Sequence, residues 1–488
     1  MYCMYAYKVN RLMSEIRNMV WKPRIQGNGP IYLELAEAIG RAIVTGELTA
    51  GQRLPTQREL AQALGVDLTT VTRGYAQAQR LGHIHSEGRR GSFVRRLDAP
   101  RKTALDVYES DTYGIPAPVI DSSEVNAIEN SGRNMPPEPA GDLLREAIRD
   151  GTDRILARTG QLPVHYQPPG GPAYNRSIIA SVFNRSMPCV SDQVVITAGA
   201  QNAIHAICNA LLKPGDVVAC GKYTYPGLLA VARRIGARIV PVDMDDDGLV
   251  PESLEEVARR HRPKLLYLVP YNDNPTTASL TTARRNAIAE CAERHDFQIL
   301  EDDAYGGLVA YRPQRVVSTI IPSRCWYMVT LSKSFTPAFR VANVRAPSVR
   351  DAFGMIAGIQ ETTTMASPFD AAIDMQWLQD GTLMKLGAAV AREAMERQKI
   401  ARDILGKHVY KAQPEGYHLW LPRPGSDAPS PIQSPLLSGL PVVPASVFAV
   451  VPNNREQSLR VSLGGPRSRE KLASDLNRLN AWLTQNGQ

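Results

Sequence analysis

Cysteine is scarce in this sequence, and no two cysteines are close enough to act as a pair. The 488 residues contain six, at positions 3, 189, 208, 220, 291 and 325. None forms a CxxC pair or a zinc-ligand spacing, and the histidines also lack metal-binding spacing. The sequence therefore excludes a disulfide scaffold and predicts no metal site, and unpaired thiols favour a cytoplasmic protein.

Long apolar runs are also missing. No stretch of about 18 apolar residues is present, so we expect no transmembrane helix. The first residues, MYCMYAYKVNRL, lack an apolar core followed by a small-residue cleavage site, so secretion is not expected. With 43% hydrophobic and 21% charged residues, the composition is that of a globular protein with a large core, not of a collagen, a coiled coil or a disordered chain.

Acidic residues are underrepresented only at the N-terminal end. Residues 1–100 carry 14 Lys and Arg against 8 Asp and Glu, whereas the remaining residues carry 42 against 40. A basic segment beside a nearly neutral body is typical of a protein that binds a polyanion, most often nucleic acid. A solvated basic surface remains the alternative.

Four segments differ in composition and hydrophobic pattern: an irregular extension (1–28), a segment of short helical periods (29–96), a linker rich in Asp, Ser, Pro and Arg (97–133), and a large unit (134–488). In the large unit, apolar runs alternate with helical periods, which predicts a mostly parallel α/β sheet. The predicted strands include 194–196, 217–219, 239–242, 265–269 and 297–300.

The segment 29–96 predicts a helix-turn-helix with a wing. Ile31, Leu35, Ile39 and Ile43 lie on one helical face, and a second helix, Gln57–Leu64, follows a capping box formed by Thr56 and Glu59. Gly65 makes the turn into a third helix from Thr69, which presents hydroxyls and an arginine early, as a recognition helix does. A two-stranded hairpin (84–94) with an Arg-rich tip then follows.

This segment resembles the winged-helix domain of the GntR regulators. The matching blocks are GQRLPTQRELA (51–61), LGV (64–66), TTV (69–71) and GRRGSFV (88–94). The resemblance implies that DNA is contacted by Arg58, Thr69, Thr70, Arg73, Arg89, Arg90 and Gly91. The alternative for Arg58 is that it is an ordinary arginine on the helix surface. The Thr hydroxyls and Arg73 can bond phosphates or base edges. Leu68 stands where many members have a basic residue, so the resemblance does not carry over their base preference.

The large unit contains a lysine in a hydroxyl-rich turn. Lys333, in Thr330-Leu331-Ser332-Lys333, is followed seven residues later by Arg340, a pattern suited to a Schiff-base lysine beside a phosphate anchor. Upstream, a predicted strand ends in Glu301-Asp302-Asp303, where a buried carboxylate can pair with a pyridine nitrogen. Another strand runs into Gly199-Ala200-Gln201 at a helix N-terminus, a favourable anion site.

Together these motifs resemble the fold-type I, class I/II aminotransferases over roughly residues 134–488. This resemblance implies a mostly parallel sheet with helices on both faces and a small C-terminal α/β subdomain. The resemblance implies pyridoxal 5′-phosphate (PLP) as cofactor, with Lys333 as its Schiff-base lysine and Arg460 as a carboxylate-binding residue. It also implies a set of cofactor contacts: Ala200, Gln201, Tyr225, Asn274, Asp302, Tyr305, Thr330 and Arg340, with Tyr166 reaching the phosphate of a partner subunit. Each of three assignments also has a purely structural alternative. Tyr225 could be an ordinary core residue, Tyr166 an ordinary loop residue, and Arg460 an ordinary strand arginine.

The sequence departs from the aminotransferase pattern at three places. Thr277 stands where the Asn-Pro-Thr motif usually ends in Gly, Ala342 replaces another usual Gly, and Cys220-Gly221-Lys222 replaces an acidic residue and a proline. None of these removes a group that bonds the cofactor. A separate stretch, Asp243 to Gly248, mimics the start of an EF-hand, but position twelve is Leu254, so we interpret it as an acidic turn before a helix.

A GntR winged helix joined to an aminotransferase-like domain is the combination that identifies the MocR subfamily of GntR regulators. The resemblance implies a homodimeric, head-to-tail transcription regulator that binds operator DNA and senses PLP, or an amino acid or amine, through aldimine chemistry at Lys333. The alternative is a working aminotransferase with an accessory DNA-binding domain. A purely structural or PLP-storing protein would leave the winged-helix motifs unexplained.

Overall fold

The computed structural model describes residues 21–23, 30–44, 47–49, 51–80, 83–86, 90–94, 133–139, 141–157, 162–308, 316–423, 440–451 and 458–485. The chain divides into two compact units, residues 1–119 and 120–488, and each is described by itself. Of the predicted linker 97–133 only residue 133 is described, and of the predicted extension 1–28 only residues 21–23; Arg89 also lies outside the described residues.

The described part of the N-terminal unit contains three helices followed by a short hairpin. Its elements are α1 (Ile31–Val44), α2 (Gln57–Leu64), α3 (Leu68–Arg80), β1 (Ile84–Ser86) and β2 (Ser92–Val94). Leu35 and Ile39 of α1 are fully buried, as the spacing of four predicts. They share a core with Leu60, Val71 and Tyr75 from the other two helices.

The predicted capping box and turn are both present. Thr56 Oγ1 accepts a hydrogen bond from the Glu59 N–H, and the Glu59 carboxylate accepts one from the Thr56 N–H. Gly65 ends α2 with φ 69°, a left-handed conformation that glycine adopts without a Cβ clash. The third helix begins at Leu68 rather than at Thr69, because the Asp67 carboxylate accepts the Thr69 N–H and caps it one residue earlier.

The larger unit contains helices α4 (Leu143–Leu156), α5 (Ala173–Phe183), α6 (Ala200–Leu211), α7 (Pro226–Ile235), α8 (Pro251–His261), α9 (Thr282–His295), α10 (Val349–Thr362), α11 (Pro368–Asp380), α12 (Thr382–Leu405) and α13 (Arg469–Gln485). Its strands are β3 (Val194–Thr197), β4 (Val217–Gly221), β5 (Arg238–Val242), β6 (Met244–Asp245), β7 (Gly248–Leu249), β8 (Leu265–Leu268), β9 (Gln298–Asp302), β10 (Cys325–Thr330), β11 (Ala342–Arg345), β12 (His418–Leu421), β13 (Val442–Pro444) and β14 (Leu459–Ser462). The alternation predicted from the sequence is confirmed.

Seven of the described strands form the main sheet in the order β3-β11-β10-β9-β8-β4-β5. The sheet is parallel except for β11, which runs antiparallel to both its neighbours. Continuous apolar runs such as Leu265–Leu268 are buried along their whole length because helices cover both faces. The small subdomain contains an antiparallel sheet in the order β12-β14-β13, with α13 packed against it.

Parallel strands place their carboxyl ends at one edge of the sheet, where ligands bind in open α/β folds. β9 ends at Asp302 and β10 at Thr330, and these two strands are adjacent. The main-sheet topology therefore brings the predicted cofactor residues of two distant sequence motifs to one place. Among the described residues, no helix combines the length and the apolar character needed to cross a membrane.

Candidate functional sites

Lys333 lies at the end of a single 3-10 turn that follows β10. The turn begins at Thr330, whose hydroxyl accepts a hydrogen bond from the Ser332 N–H. The lysine amine donates to the backbone carbonyl of Asn134 at 2.7 Å. Burial and the nearby Arg460 lower the lysine pKa to about 8, although the Asp302 carboxylate acts in the opposite direction. A lysine that loses its proton near pH 8 is a better nucleophile than an ordinary surface lysine, because the unprotonated amine is the form that attacks.

Asp302, at the end of β9, has one carboxylate oxygen bonded and the other without a hydrogen-bond partner. The Tyr267 hydroxyl donates to Oδ2 at 2.8 Å, while the buried Oδ1 has no partner. Desolvation raises the pKa of Asp302 to about 7, with the neighbouring Asp303 adding to the shift. A buried, unpartnered carboxylate oxygen is costly unless a donor occupies the space in front of it.

Alternation along β9 explains why Asp302, and not its neighbours, faces this space. Successive side chains of a strand point to opposite faces. The Glu301 carboxylate instead accepts the N–H groups of Val317 and Ser318, both at 2.9 Å. Asp303 accepts a hydrogen bond from the Tyr327 hydroxyl at 2.6 Å. The three acidic residues therefore have three different environments.

Tyr305 is held by a buried polar network centred on Asn134. The Asn134 amide donates to the Tyr305 hydroxyl oxygen at 3.0 Å and lies 3.1 Å from His418 Nδ1, and Ser462 Oγ donates to its carbonyl oxygen at 3.0 Å. Burial and Arg460 lower the His418 pKa to about 3, so the ring is neutral and Nδ1 accepts. Because the phenol oxygen accepts from Asn134, its own hydrogen is left to donate elsewhere.

Arg460 and Asn274, predicted from separate motifs, are hydrogen-bonded at 3.1 Å. Arg460 is buried on the central strand of the small sheet, and its guanidinium lies 5.1 Å from the centre of the Phe448 ring. Burial lowers its pKa to about 10, so it remains charged at neutral pH. A buried guanidinium beside an amide is suited to a carboxylate, which it binds with two parallel hydrogen bonds.

A second cation lies at the N-terminus of α6. A Cβ added to Gly199 would come within 2.6 Å of Arg340 Nη2, and Gly199 has φ 83°, so only glycine fits here. Arg340 also donates to the Ser332 hydroxyl at 3.1 Å. The first N–H groups of a helix, here those of Ala200 and Gln201, have no intrahelical partner. Amides, hydroxyl and guanidinium together make a cradle for a phosphate.

The two remaining tyrosines differ in placement. Tyr225 precedes α7, and burial raises its pKa, with Asp302 and Arg340 as the next largest influences, so it lies at the same site. Tyr166 is 85% exposed. Its predicted role in a partner subunit stays a prediction.

These residues fit PLP. The unpartnered Asp302 Oδ1 suits a protonated pyridine nitrogen, and the cradle at Gly199 and Arg340 suits the phosphate. Lys333, which interacts electrostatically with both Asp302 and Arg340, supplies the amine. Asn134, Tyr267 and His418 were not singled out by the sequence analysis. Asn134 belongs to no recognisable motif, and its contacts with Lys333 and Tyr305 join residues more than 170 positions apart.

The predicted DNA-contacting residues that the structure describes lie on the surface of the N-terminal unit. Arg58, Thr69, Arg73 and Arg90 are exposed, and Thr70 is half-buried. Gly91 has φ 112°, and a Cβ there would lie 3.0 Å from Arg53 Nε, so glycine lets the wing approach this arginine. Their role in DNA binding stays a prediction.

Two of these side chains already have partners within the unit. Arg73 lies 4.4 Å from the centre of the Tyr32 ring, a cation–π contact that restricts its rotamers. The Thr69 hydroxyl donates to the Asp67 carboxylate at 2.5 Å. In this rotamer Thr69 can accept a hydrogen bond from a base edge but cannot donate one to a phosphate.

The departure at Thr277 has a structural counterpart. Thr277 has φ 64°, the left-handed region that the usual glycine of this motif adopts freely and that a β-branched residue rarely adopts. It is held there by a hydrogen bond from its N–H to the Asp273 carbonyl and by Gln413, which donates to its carbonyl at 2.8 Å.

The acidic stretch after Asp243 forms the hairpin β6–β7, where Asp245 pairs with Arg284 and Asp246 with Lys411.

Comparison with known proteins assigns families to both units. The family "Aminotransferase class I and II" matches residues 132–476, and "Bacterial regulatory proteins, gntR family" matches residues 31–94. The Pyrococcus horikoshii kynurenine aminotransferase structure superposes with a TM-score of 0.67, covering 79% of this chain and 99% of its own. At 22% identity, this likeness shows the fold alone.

Two curated relatives extend over both units. The HTH-type transcriptional regulator YdeF of Bacillus subtilis is 26% identical over 94% of this chain and 96% of its own length. The vitamin B6 salvage pathway transcriptional repressor PtsJ of Salmonella typhimurium is 27% identical over 81% of this chain and 86% of its own. The chain therefore belongs to the class I and II aminotransferase family, and its N-terminal gntR-type domain and regulator relatives are consistent with the MocR type.

Proposed function

We propose that this regulator holds PLP at Lys333 and changes its affinity for operator DNA when PLP, or an amine that reacts with it, occupies the site. The observation that carries the proposal is the Asp302 carboxylate, whose buried Oδ1 has no protein partner and lies at the same sheet edge as Lys333 and the Gly199 cradle. In one chain with a gntR-type domain, such a site is a sensor.

Each residue has a separate task in this proposal. PLP, when bound, supplies an aldehyde that condenses with amines and a ring that delocalises charge. Asp302 would hold a proton at the ring nitrogen, and Tyr305, fixed by Asn134, would donate its phenol hydrogen to the ring oxygen, with Asn274 as a second donor. Thr330, Arg340, Ala200 and Gln201 bind the phosphate, and Tyr225 stacks on the ring.

The effector we propose is an amino acid or a related amine with a carboxylate. Arg460 is the only residue of the predicted set assigned to the effector, and its buried guanidinium suits a carboxylate. The predicted dimer is head-to-tail, with Tyr166 reaching the phosphate site of the partner. For regulation, the effector must bind two states of that dimer with different affinities, because equal affinity shifts no equilibrium.

A working aminotransferase is the second candidate. Lys333, Asp302, Asn274, Tyr305 and Arg460 all come together in the larger unit, so the groups needed for amino-group transfer are present. A regulator that needs only to bind PLP and an amine would not require the full set.

A gel-shift assay on DNA upstream of the chain's own gene tests the proposal. We expect site-specific retention, at a stated salt concentration, that PLP or one member of a pool of amino acids and amines strengthens or weakens. Binding that is sequence-blind and erased by moderate salt, together with sustained conversion of an amino acid and a keto acid, would support the enzyme instead.

A further inference from the structure

A cluster of three ligand-type side chains joins two helices of the larger unit. Cys291 and His295 are four residues apart on α9 and therefore lie on one face of the helix. Glu255 faces them from α8. One ligand atom from each residue, the thiol sulfur, an imidazole nitrogen and a carboxylate oxygen, lies within 4.8 Å of both others.

The Glu255 carboxylate is hydrogen-bonded to both His295 and Cys291. His295 Nε2 lies 2.6 Å from Glu255 Oε1. Arg294 Nη1 donates to the other oxygen, Oε2, at 2.7 Å, so the arginine holds the carboxylate in place without occupying Oε1. A hydrogen-bonded partner of this kind is what orients a ligating carboxylate in metal sites.

Burial gives the cluster a closed side and an open side. Cys291 is 3% exposed and packs in the apolar core between α8 and α9, with Leu254 and Ile288. The side chains of His295 and Glu255 are 20% and 38% exposed, so an ion can enter from solvent. Burial, together with the Glu255 carboxylate, raises the pKa of the Cys291 thiol to about 12. A divalent cation at this point would reverse that shift by replacing the thiol proton.

We propose that Glu255, Cys291 and His295 bind a divalent transition-metal ion of the zinc type, with a fourth position open to water. A thiolate, an imidazole and a carboxylate form a ligand set that zinc accepts, and they do not suit magnesium or calcium. In a tetrahedral zinc site with bonds of about 2.0–2.3 Å, the ligand atoms lie about 3.3–3.8 Å apart. His295 Nε2 and Glu255 Oε1, now 2.6 Å apart, would separate by less than about 1 Å to admit the ion. The Cys291 sulfur, which lies within 4.8 Å of both, would complete the set with a small side-chain adjustment.

The bound ion would fasten α8 to α9 on the outside of the main sheet. The sequence analysis predicted no metal site, because Glu255 is 36 residues from Cys291 and a single Cys-x3-His spacing matches no zinc motif. The site does not depend on PLP or on DNA, so its failure would leave the proposed function untouched.

Cobalt(II) titration of the metal-stripped, untagged full chain tests this proposal. We expect one equivalent to bind with a thiolate-to-cobalt charge-transfer absorption, and zinc to displace it. Cys291→Ala should abolish the absorption, and His295→Ala should weaken binding by about 10-fold or more. Cys189→Ala, which removes a buried thiol outside the cluster, is the matched control and should leave the titration unchanged.

Glu255→Gln keeps the result interpretable if Cys291→Ala fails to fold. It retains the thiol and the shape of a partly exposed side chain, and we expect it to weaken cobalt binding and to remove any zinc-dependent rise in melting temperature. No charge-transfer absorption in the native chain, or an absorption that survives in both Cys291→Ala and His295→Ala, would overturn the proposal and leave an ion pair of Glu255 with Arg294 and His295 alone.

Discussion

The two units of this chain place their predicted functional side chains in opposite surroundings. In the N-terminal unit, Arg58, Arg73 and Arg90 are exposed to solvent. In the larger unit, Asp302 and Arg460 are buried, and the Lys333 amine donates a hydrogen bond to the backbone carbonyl of the buried Asn134. Charges in water contribute small, additive and salt-dependent terms, whereas buried charges interact strongly and depend on their partners.

The comparison makes a general expectation about substitutions. A single change in the buried site should eliminate a function or shift it by orders of magnitude, because an unpaired buried partner remains. A single change on the DNA surface should reduce affinity moderately and alter its salt dependence. The following predictions run from the largest expected effect to the smallest.

Lys333→Ala should abolish the covalent attachment of PLP, because no other amine takes the place of the one at the end of β10. The absorption of PLP-loaded protein should disappear while the far-ultraviolet circular dichroism is retained. Lys222→Ala, at an exposed lysine of the same unit, is the control and should keep the absorption. Full absorption in Lys333→Ala would contradict the assignment.

Asp302→Asn should weaken PLP binding by about 10²–10³-fold, the usual consequence of removing one partner of a buried ion pair. Equilibrium dialysis of PLP measures this. Asp374→Asn changes an equally buried carboxyl outside the site and should leave PLP binding intact.

The same pair of variants tests the pKa of Asp302 in PLP-free protein. Its pKa is raised to about 7, so the unfolded chain ionises first, and this group lowers the free energy of unfolding as pH rises from about 4 to about 7. Asp374, whose pKa is also raised to about 7, acts in the same direction. Either substitution should flatten the decline measured by urea unfolding at several pH values, and an unchanged slope in both would show that these carboxyls titrate normally.

Arg58→Ala combined with Arg73→Ala should weaken operator binding by about 10- to 100-fold and reduce the slope of log affinity against log salt by about 2. Fluorescence anisotropy over a salt series measures both quantities. Arg41→Ala removes one exposed charge from α1, against two in the double variant, and serves as the control for charge loss outside α2 and α3. Equal losses in the control and the double variant would move the DNA contact away from α2 and α3.

Thr56→Ala should lower the free energy of unfolding by about 1 kcal/mol, because it removes the side-chain cap of α2. Thr281→Ala removes the corresponding cap of α9 in the larger unit. Hydrogen exchange should quicken around α2 in the first variant and around α9 in the second, with PLP absorption kept in both. Faster exchange across both units in either variant would mean that the two units do not respond separately.

Local signals predicted the N-terminal unit and most of the main sheet. The capping box at Thr56, the turn at Gly65 and the apolar runs each reflect interactions within a few residues, which a single sequence displays. Those apolar runs do not reveal strand direction, so the antiparallel β11 could not be read from them.

The sequence predicted the motifs of the cofactor site but not the hydrogen bonds that link them. The resemblance assigned Asp302, Tyr305 and Asn274 to one cofactor, yet the network that fixes Tyr305 depends on Asn134, His418 and Ser462. These residues are up to 328 positions apart, and no spacing rule brings them together. The cluster of Glu255 with Cys291 and His295 was missed for the same reason, since helix packing alone makes it.

Reciprocal titration of DNA and PLP tests the central claim most directly. If the PLP site controls DNA binding, PLP must change the operator affinity by some factor, and operator DNA must change the PLP affinity by the same factor. We expect equal factors of at least about 5-fold in the native chain, and no effect of PLP on the DNA affinity of Lys333→Ala. An operator affinity that is identical with and without PLP and every amine tested would contradict the account.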